Sequence, residues 1–179
     1  MINHFRLNDS DRSEGCTSNE SRNGLLRHPI RKVCSTERRQ TGKSAIAVSS
    51  GTAGLHCALL ACNVERENEV IVPPNTEWPV LYSILYTGAK PVFSDVEYDT
   101  QNLNPDQVEE KVTSRTKAIL AVSTAGHPID FAPLLDIAES HNLMVVNDGC
   151  QALGAKYRGK YAAKGLLLPA SELATRRKQ

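Results

Sequence analysis

A carboxylate that directly follows a run of apolar residues is the first feature of this sequence that points to chemistry. The stretch VVNDGCQALG places Asp148 after Val145, Val146 and Asn147, with Gln151 three positions later. An acid at the end of a buried strand is unfavourable unless hydrogen-bond donors or a cation meet it. We therefore expect Asp148 to face a cationic group of a ligand, or else to cap the next helix or pair with an Arg or Lys.

A glycine turn after an earlier apolar run has the features of an anion site. In VSSGTAGLH, Gly51 lets a ligand approach the backbone closely, and the amides of Gly51, Thr52 and Ala53 would point out of a helix N-terminus. Such amides and the helix dipole favour phosphate, and the hydroxyls of Ser50 and Thr52 add hydrogen-bonding groups. The alternative is an ordinary Ser or Thr N-cap followed by a glycine turn.

Two further loops carry candidate side chains. Trp78, the only tryptophan, lies in PPNTEWPVLYS and could stack on a planar ligand, although core packing is the commoner use of this residue. His127 in GHPID follows a predicted strand, and a loop histidine before proline is more often structural than catalytic. The sequence contains no P-loop, GxGxxG, GxSxG or HExxH pattern, which argues against the NTPase, dinucleotide-binding, hydrolase and metalloprotease classes.

The elements that would position these side chains alternate between strand and helix. Several of the strands are apolar on both faces, as is typical of a parallel sheet covered by helices on each side. The helical runs repeat apolar residues at i and i+4, with Pro105 at a first helical position and Asp130 as an N-cap. The alternation predicts a three-layer α/β/α sandwich with a mostly parallel sheet, whose ligands bind beyond the carboxyl ends of the strands. The predicted strands cover residues 44–49, 69–73, 91–96, 117–122 and 143–148.

The two ends of the chain do not share this pattern. Residues 1–43 are polar and basic and lack a sustained period, so we expect a poorly ordered segment or an arm that orders on a partner. Residues 44–165 carry the predicted domain. Residues 166–179 begin as an apolar run that Pro169 interrupts and end in a basic tail, and we expect them to lie outside the domain pattern.

Composition narrows the setting in which this chain acts. Its 179 residues suffice for one domain with a core, and its net charge of +1 gives no strong field that would attract nucleic acid or an anionic membrane. No apolar run is long enough to span a bilayer, and the N-terminal residues lack the apolar centre of a signal peptide. The five cysteines are odd in number and never spaced as CxxC, which favours a reduced, cytoplasmic chain without a structural zinc.

Taken in order, these segments resemble the DegT/DnrJ/EryC1/StrS family of pyridoxal-phosphate-dependent sugar aminotransferases, which have the type I aminotransferase fold. The matching text includes AIAVSSGTAGLHCALLA, NEVIVPPNT and GHPIDFAPLLDIAESHNLMVVNDGCQALGAKYRGK, and it covers roughly residues 42–161. The order and spacing of these motifs are more specific than any one of them. The resemblance implies an incomplete large domain of that fold.

The resemblance also implies roles for individual residues. Gly51 and Thr52 of the SGT turn would bind the phosphate of pyridoxal 5′-phosphate. Asp148 would pair with the pyridine nitrogen, and Gln151 would lie beside the ring and its phenolic oxygen. Members of the family usually stack an aromatic residue on the ring where this sequence has Glu77. Either the neighbouring Trp78 makes that contact here, or the ring face is covered differently.

One residue that the family requires has no match. The Schiff-base lysine of the family follows in a Ser-Phe-x-x-x-Lys segment before a Gly-Glu-Gly-Gly turn, and nothing after Gly165 matches that text. Lys178 stands near the expected distance, but its context, ATRRKQ, is wrong. We therefore expect a chain that is truncated or shifted out of frame after about Gly165 and that has no assigned catalytic residue, which leaves the activity of this chain an open question.

For the function, the resemblance implies transfer of an amino group from an amino acid, with glutamate expected, to a keto-sugar nucleotide in polysaccharide or antibiotic-sugar synthesis. It also implies a homodimer. Two other readings stay open: a non-catalytic remnant or interaction module that retains the fold, and a pyridoxal-phosphate-dependent sugar dehydratase. In the dehydratase a histidine replaces the lysine, and this chain has no histidine after His141.

Overall fold

A five-stranded sheet between two layers of helices organises the computed structural model of this chain, which describes residues 46, 48–161 and 167–169. Short 3-10 turns, Thr124–Gly126 and Cys150–Ala152, follow the third and fourth strands. In chain order the helices and strands are α1 (Gly51–Ala61), β1 (Glu69–Val72), α2 (Trp78–Leu85), β2 (Lys90–Phe93), α3 (Pro105–Lys111), β3 (Thr116–Val122), α4 (Phe131–His141), β4 (Met144–Asp148), β5 (Lys156–Tyr157), β6 (Lys160–Tyr161) and β7 (Leu167–Pro169).

The sheet has the order β2-β1-β3-β4-β7, and its first four strands run parallel. A helix connects each of these strands to the next along the chain, as parallel pairing requires. The carboxyl ends of the four strands therefore lie at one edge. The arrangement confirms the predicted three-layer α/β/α sandwich with a mostly parallel sheet.

Each face of the sheet has its own hydrophobic core. Because side chains alternate along a strand, neighbouring residues of β1, β3 and β4 pack on opposite faces. Both faces are covered, which explains why these strands are apolar throughout. Toward α1 and α2 the strands present Val70, Val72, Ala118, Leu120, Val122 and Val146. Toward α3 and α4 they present Ile71, Ile119, Ala121 and Val145.

Side-chain caps determine where three of the helices begin. Ser50 Oγ accepts a hydrogen bond from the Ala53 amide at 3.2 Å and so caps α1. Asn104 Oδ1 caps α3, whose first residue is Pro105. Asp130 Oδ1 accepts from the Ala132 amide at 3.2 Å and caps α4. The predicted roles of Pro105 and Asp130 are thus confirmed, and each cap satisfies an amide that the helix leaves unpaired.

Two predictions at the ends of the domain differ from the structure. Ile46, Val48 and Ser49, the described residues of the predicted strand 44–49, lie in no strand, and Ser50 already caps α1. At the other end, Leu167–Pro169 adds β7 antiparallel to β4, so part of the predicted tail joins the sheet. An apolar segment beside β4 satisfies backbone groups that a free edge would leave unpaired.

The remaining predictions for residues 1–43 and 170–179 lie outside the described residues, and the domain boundaries stay predictions.

β5 and β6 form a separate two-stranded hairpin, joined by Arg158 and Gly159 with φ of 49° and 76°. Two successive positive φ angles are typical of the tight turn that suits a hairpin. Among the described helices, none is long and apolar enough to cross a membrane.

The packing of β3 predicts a large loss of stability when its core side chain is shortened. Leu120 is fully buried at the centre of the sheet, so Leu120→Ala should lower the free energy of unfolding by about 2–5 kcal/mol. The control is Leu153→Ala, because Leu153 is 83% exposed and its loss should change stability by about 0.5 kcal/mol or less. Urea unfolding of both variants measures this, and equal losses would contradict the described core.

Candidate functional site

The loops that follow the four parallel strands meet at the carboxyl edge of the sheet. β4 ends in Asp148, whose backbone carbonyl accepts a hydrogen bond from the Ser123 amide at 3.0 Å, one residue beyond β3. This bond extends the pairing of Val122 with Asp148 in the parallel ladder. The backbone of Asp148 is therefore fixed by the sheet itself.

The carboxylate of Asp148 is buried, with 7% of the residue exposed. Its Oδ1 accepts one backbone hydrogen bond, from the Cys150 amide at 3.1 Å. Within the described ranges, no Lys or Arg lies within ion-pair distance of it. The bond from the Cys150 amide joins residues i and i+2, and the N-cap of the following 3-10 turn is Gly149, so Asp148 does not cap that turn as one structural alternative predicted. Among the described residues, Asp148 also lacks the Arg or Lys partner that the other alternative required.

A second buried carboxylate in this fold accepts side-chain hydrogen bonds on both of its oxygens. Glu69, at the amino end of β1, is 4% exposed and receives the Arg115 guanidinium on Oε1, with Nη2 at 2.7 Å and Nε at 3.0 Å. The Thr113 hydroxyl donates to Oε2. This hydroxyl first, and then Arg115, hold the pKa of Glu69 below its usual range. Within the part of the chain that the structure describes, Asp148 has no such set of partners, which is unusual for a buried acid.

The thiol of Cys150 is the second donor beside Asp148. Partial burial of this thiol, a hydrogen bond to the Asp148 carboxylate and the negative charge of that group together raise the pKa of Cys150 to about 12. A thiol with this pKa stays protonated at neutral pH, so it can donate to the carboxylate but is a poor nucleophile. Sequence reasoning did not single out Cys150, and its position two residues after Asp148 was the available signal.

Gln151 connects the loop after β4 to the loop after β3. Its Oε1 accepts a hydrogen bond from the Ala125 amide at 2.6 Å, and the two short 3-10 turns contact each other there. Ala125 has φ 51° and ψ 23°, a left-handed conformation that is uncommon for a residue with a Cβ. The predicted site residue Gln151 therefore also has a structural contact, through its carboxamide oxygen.

The amino end of α1 has the predicted features of an anion site, with one correction. Gly51 and Thr52 are the first two residues of the helix, and no acidic residue lies in its first turn. The Ala53 amide, predicted to face a ligand, donates instead to the Ser50 hydroxyl. Ser50 thus caps the helix, as the alternative predicted, and the anion site at Gly51 and Thr52 stays a prediction.

The two remaining candidates have local contacts. Trp78 is the first residue of α2, is 70% exposed, and has its ring centroid 6.3 Å from that of Tyr82 on the same helix. Glu77 precedes it and makes no side-chain cap bond. A role for Trp78 in stacking on a cofactor ring stays a prediction. His127 uses its backbone: its amide donates to the Thr124 carbonyl and its carbonyl accepts from Asn102 Nδ2.

Four buried hydroxyl groups at this edge were not predicted. Each follows a parallel strand, directly or within four residues, and none has a hydrogen-bond partner among the described residues. They belong to Thr76 after β1, Ser94 after β2, and Ser123 and Thr124 after β3. Buried polar atoms without partners mark places where a ligand or water completes the hydrogen bonding. An oxygen-rich cofactor with a phosphate and a phenolic oxygen fits such an edge.

No group of three or more His, Cys, Asp and Glu residues within the described ranges could hold a metal ion. The chemistry that this edge can support rests on the acid, the hydroxyl groups, the carboxamide of Gln151 and the amino end of α1.

Comparison with known proteins gives a consistent family. Residues 39–166 match the model of the DegT/DnrJ/EryC1/StrS aminotransferase family. A GDP-perosamine synthase from Escherichia coli O157:H7 is 44% identical over 117 residues, which are 65% of this chain and 32% of that protein. A GDP-perosamine synthase from Caulobacter vibrioides is also 44% identical, over 66% of this chain and 32% of its own length. This chain spans about a third of the length of these relatives.

A solved relative identifies the cofactor. NtdA from Bacillus subtilis, solved with its bound cofactor PMP, is 35% identical with a TM-score of 0.67 over 75% of this chain and 31% of that one. PMP is the amino form of pyridoxal 5′-phosphate, and pyridoxal 5′-phosphate is therefore the cofactor of the family that the chain matches.

The contact between Asp148 and Cys150 predicts how fast the thiol reacts. In Asp148→Asn the negative charge is lost, so the pKa of Cys150 should fall and the thiolate fraction should rise. Because only the thiolate reacts, alkylation by iodoacetamide at pH 8 should be about threefold faster than in the native chain. Mass spectrometry of the tryptic peptide 118–156 measures the rate, because Cys150 is its only cysteine. Asp99→Asn is the control, and equal rates in all three proteins would exclude the contact.

Proposed function

Because this chain belongs to the DegT/DnrJ/EryC1/StrS aminotransferase family, we propose that the carboxyl edge of its sheet binds pyridoxal 5′-phosphate. Asp148 pairs with the protonated pyridine nitrogen, Gly51 and Thr52 hold the phosphate, and Gln151 lies beside the ring and its phenolic oxygen. One observation carries the proposal: Asp148 is a buried carboxylate with no cationic partner among the described residues, and a pyridinium is the cation that it lacks.

The residues around Asp148 suit this pairing. When bound, pyridoxal phosphate supplies an electron sink for a carbon that loses a proton, and the sink requires a protonated ring nitrogen. A carboxylate shielded from water keeps that nitrogen protonated, since the attraction between opposite charges is stronger where water is excluded. The Cys150 amide and thiol hold the carboxylate without neutralising it, because the thiol stays protonated at neutral pH.

The amino end of α1 suits the phosphate for an independent reason. The first amides of a helix have no acceptor within it, and the helix dipole adds a partial positive charge at that end. Gly51 has no Cβ to hinder a close approach, and the Thr52 hydroxyl is a further donor. The absence of an acid from the first turn leaves this field available to a phosphate.

For the whole protein we propose transfer of an amino group from an amino acid, glutamate, to a keto-sugar nucleotide in polysaccharide or antibiotic-sugar synthesis. The relatives named GDP-perosamine synthase support a nucleotide-sugar substrate. We place the reaction in the cytoplasm, because Cys57 and Cys62 are free thiols, as is usual in a reducing compartment.

A row of exposed aromatic rings supports self-association. Trp78, Tyr82 and Tyr86 follow one another along α2, with centroids 6.3 Å and 6.1 Å apart, and 45% to 70% of each residue is exposed. Exposed apolar surface of this kind is often covered by another protein chain. We propose a homodimer. The alternative, an interaction module without catalysis, uses the same surface and differs in that it takes up no cofactor.

The ring-nitrogen assignment predicts a loss of cofactor affinity. Asp148→Asn keeps the shape of the side chain but removes its charge, so the dissociation constant for pyridoxal phosphate should rise about tenfold or more. Quenching of Trp78 fluorescence or equilibrium dialysis measures the binding. Asp99→Asn, the same substitution at an exposed residue, should leave the constant unchanged.

Two outcomes would contradict this proposal. Unchanged affinity in Asp148→Asn would remove Asp148 from the cofactor site. A purified chain that forms a stable dimer but takes up no pyridoxal phosphate would favour the interaction module over the enzyme.

A further inference from the structure

We propose that Asn102 is a positioning residue: it holds the turn after β3 against Gln151 and thereby fixes the orientation in which Gln151 meets the cofactor. We define this turn, residues 124–127, as the β3–α4 turn. The inference rests on the proposed function, because it assigns Asn102 a task at the same site. Asn102 itself lies in the loop between β2 and α3 and acts only through other residues.

The side chain of Asn102 forms hydrogen bonds with both ends of the β3–α4 turn. It is a buried amide, 4% exposed, whose Oδ1 accepts a hydrogen bond from the Thr124 amide at 3.0 Å. Its Nδ2 donates to the His127 carbonyl at 3.2 Å. An amide donor at one end of the turn and a carbonyl acceptor at the other match the two halves of a carboxamide. The side chain therefore fits in one orientation, and the turn is held at both ends.

The turn needs such support because its centre is strained. Ala125 lies in the left-handed region at φ 51° and ψ 23°, which is unfavourable for a residue with a Cβ. At the adjacent Gly126, φ is +84° and an added Cβ would lie 3.2 Å from the Gln151 carbonyl oxygen. The turn thus packs closely on the loop after β4, and contacts from outside must keep it there.

The β3–α4 turn also orients the side chain of Gln151. The Ala125 amide donates to Gln151 Oε1 at 2.6 Å, which uses the acceptor end of this carboxamide. The other end, Nε2, can only donate, and it makes no hydrogen bond within the part of the chain that the structure describes. A donor in this position suits an acceptor oxygen such as the phenolic oxygen of pyridoxal phosphate. Without the Ala125 contact, the carboxamide of the exposed Gln151 could rotate and present its oxygen instead.

Hydrogen bonds of its own backbone fix the position of Asn102. Its backbone carbonyl accepts from the Glu97 amide at 2.9 Å, and its amide donates to Thr100 Oγ1 at 3.2 Å. The preceding carbonyl, of Gln101, accepts from Asn75 Nδ2 in the loop after β1 at 3.0 Å. Asn102 is therefore fixed within its own loop, and that loop is bound to the loop after β1.

Hydrogen exchange of the cofactor-free chain tests directly whether Asn102 holds the turn in place. Asn102→Ala should raise the exchange rate of the Ala125 amide about tenfold relative to that of Leu120, whose amide reports opening of the sheet. Asn102→Asp keeps the acceptor for Thr124 but loses the donor for His127, so its effect should be smaller. An Ala125 rate that is unchanged relative to Leu120 in Asn102→Ala would overturn the proposal.

Asn104→Ala is the matched control. Asn104 is the same residue type in the same loop, but it caps α3 through the Asp106 amide and does not contact the turn. Its loss removes a helix cap but should leave the relative exchange rate of Ala125 unchanged. An equal effect of Asn104→Ala on Ala125 would show that Asn102 supports the loop in general and does not position the turn.

A double-mutant cycle on cofactor affinity tests whether Asn102 acts through Gln151. Asn102→Ala should raise the dissociation constant for pyridoxal phosphate about fivefold in the native background and less than about twofold when Gln151→Ala is already present. Equal effects in both backgrounds would overturn the proposed route. If the native chain binds no pyridoxal phosphate, the proposed function fails, and the exchange rates alone then decide whether Asn102 holds the turn.

Discussion

The carboxyl edge of this sheet depends on side-chain carboxamides that supply hydrogen bonds where the strands end. Asn75 joins the loop after β1 to the loop after β2, Asn102 joins that loop to the β3–α4 turn, and Gln151 joins the turn to the loop after β4. Backbone groups beyond the strand ends are no longer paired within the sheet and need other hydrogen-bond partners. The amides provide these partners in series, so four loops that are distant in sequence hold one shape.

The two edges of the sheet use buried acids in opposite ways. At the amino edge, both oxygens of Glu69 accept hydrogen bonds from side chains of the protein, Arg115 and Thr113. At the carboxyl edge, Asp148 has an amide and a thiol as neighbours and stands among hydroxyl groups without partners in the described residues. The same residue chemistry therefore supports stability at one end of the strands and leaves capacity for binding at the other.

Local patterns were sufficient for the fold and for part of the site. Apolar runs on both faces predicted the covered parallel strands, and the position of Asp148 after such a run predicted a buried acid. Asn102 could not be found in this way, because its partners lie 22 and 25 residues away and its role arises only when the loops meet. Ala125 gave no signal either, because alanine seldom adopts a positive φ. β7 was missed because its pairing depends on a free edge of β4 and not on its own pattern.

The attachment of Asp148 to the β3–β4 ladder has a consequence for entropy. Its main chain is held by the Ser123 amide, and its side chain is held by the amide of Cys150. Most of the rotational freedom of this acid is therefore lost when the sheet forms. A partner that arrives later meets a group that is already ordered, so little of the interaction is offset by a further loss of disorder. Folding, rather than recognition, sets the direction in which this charge faces.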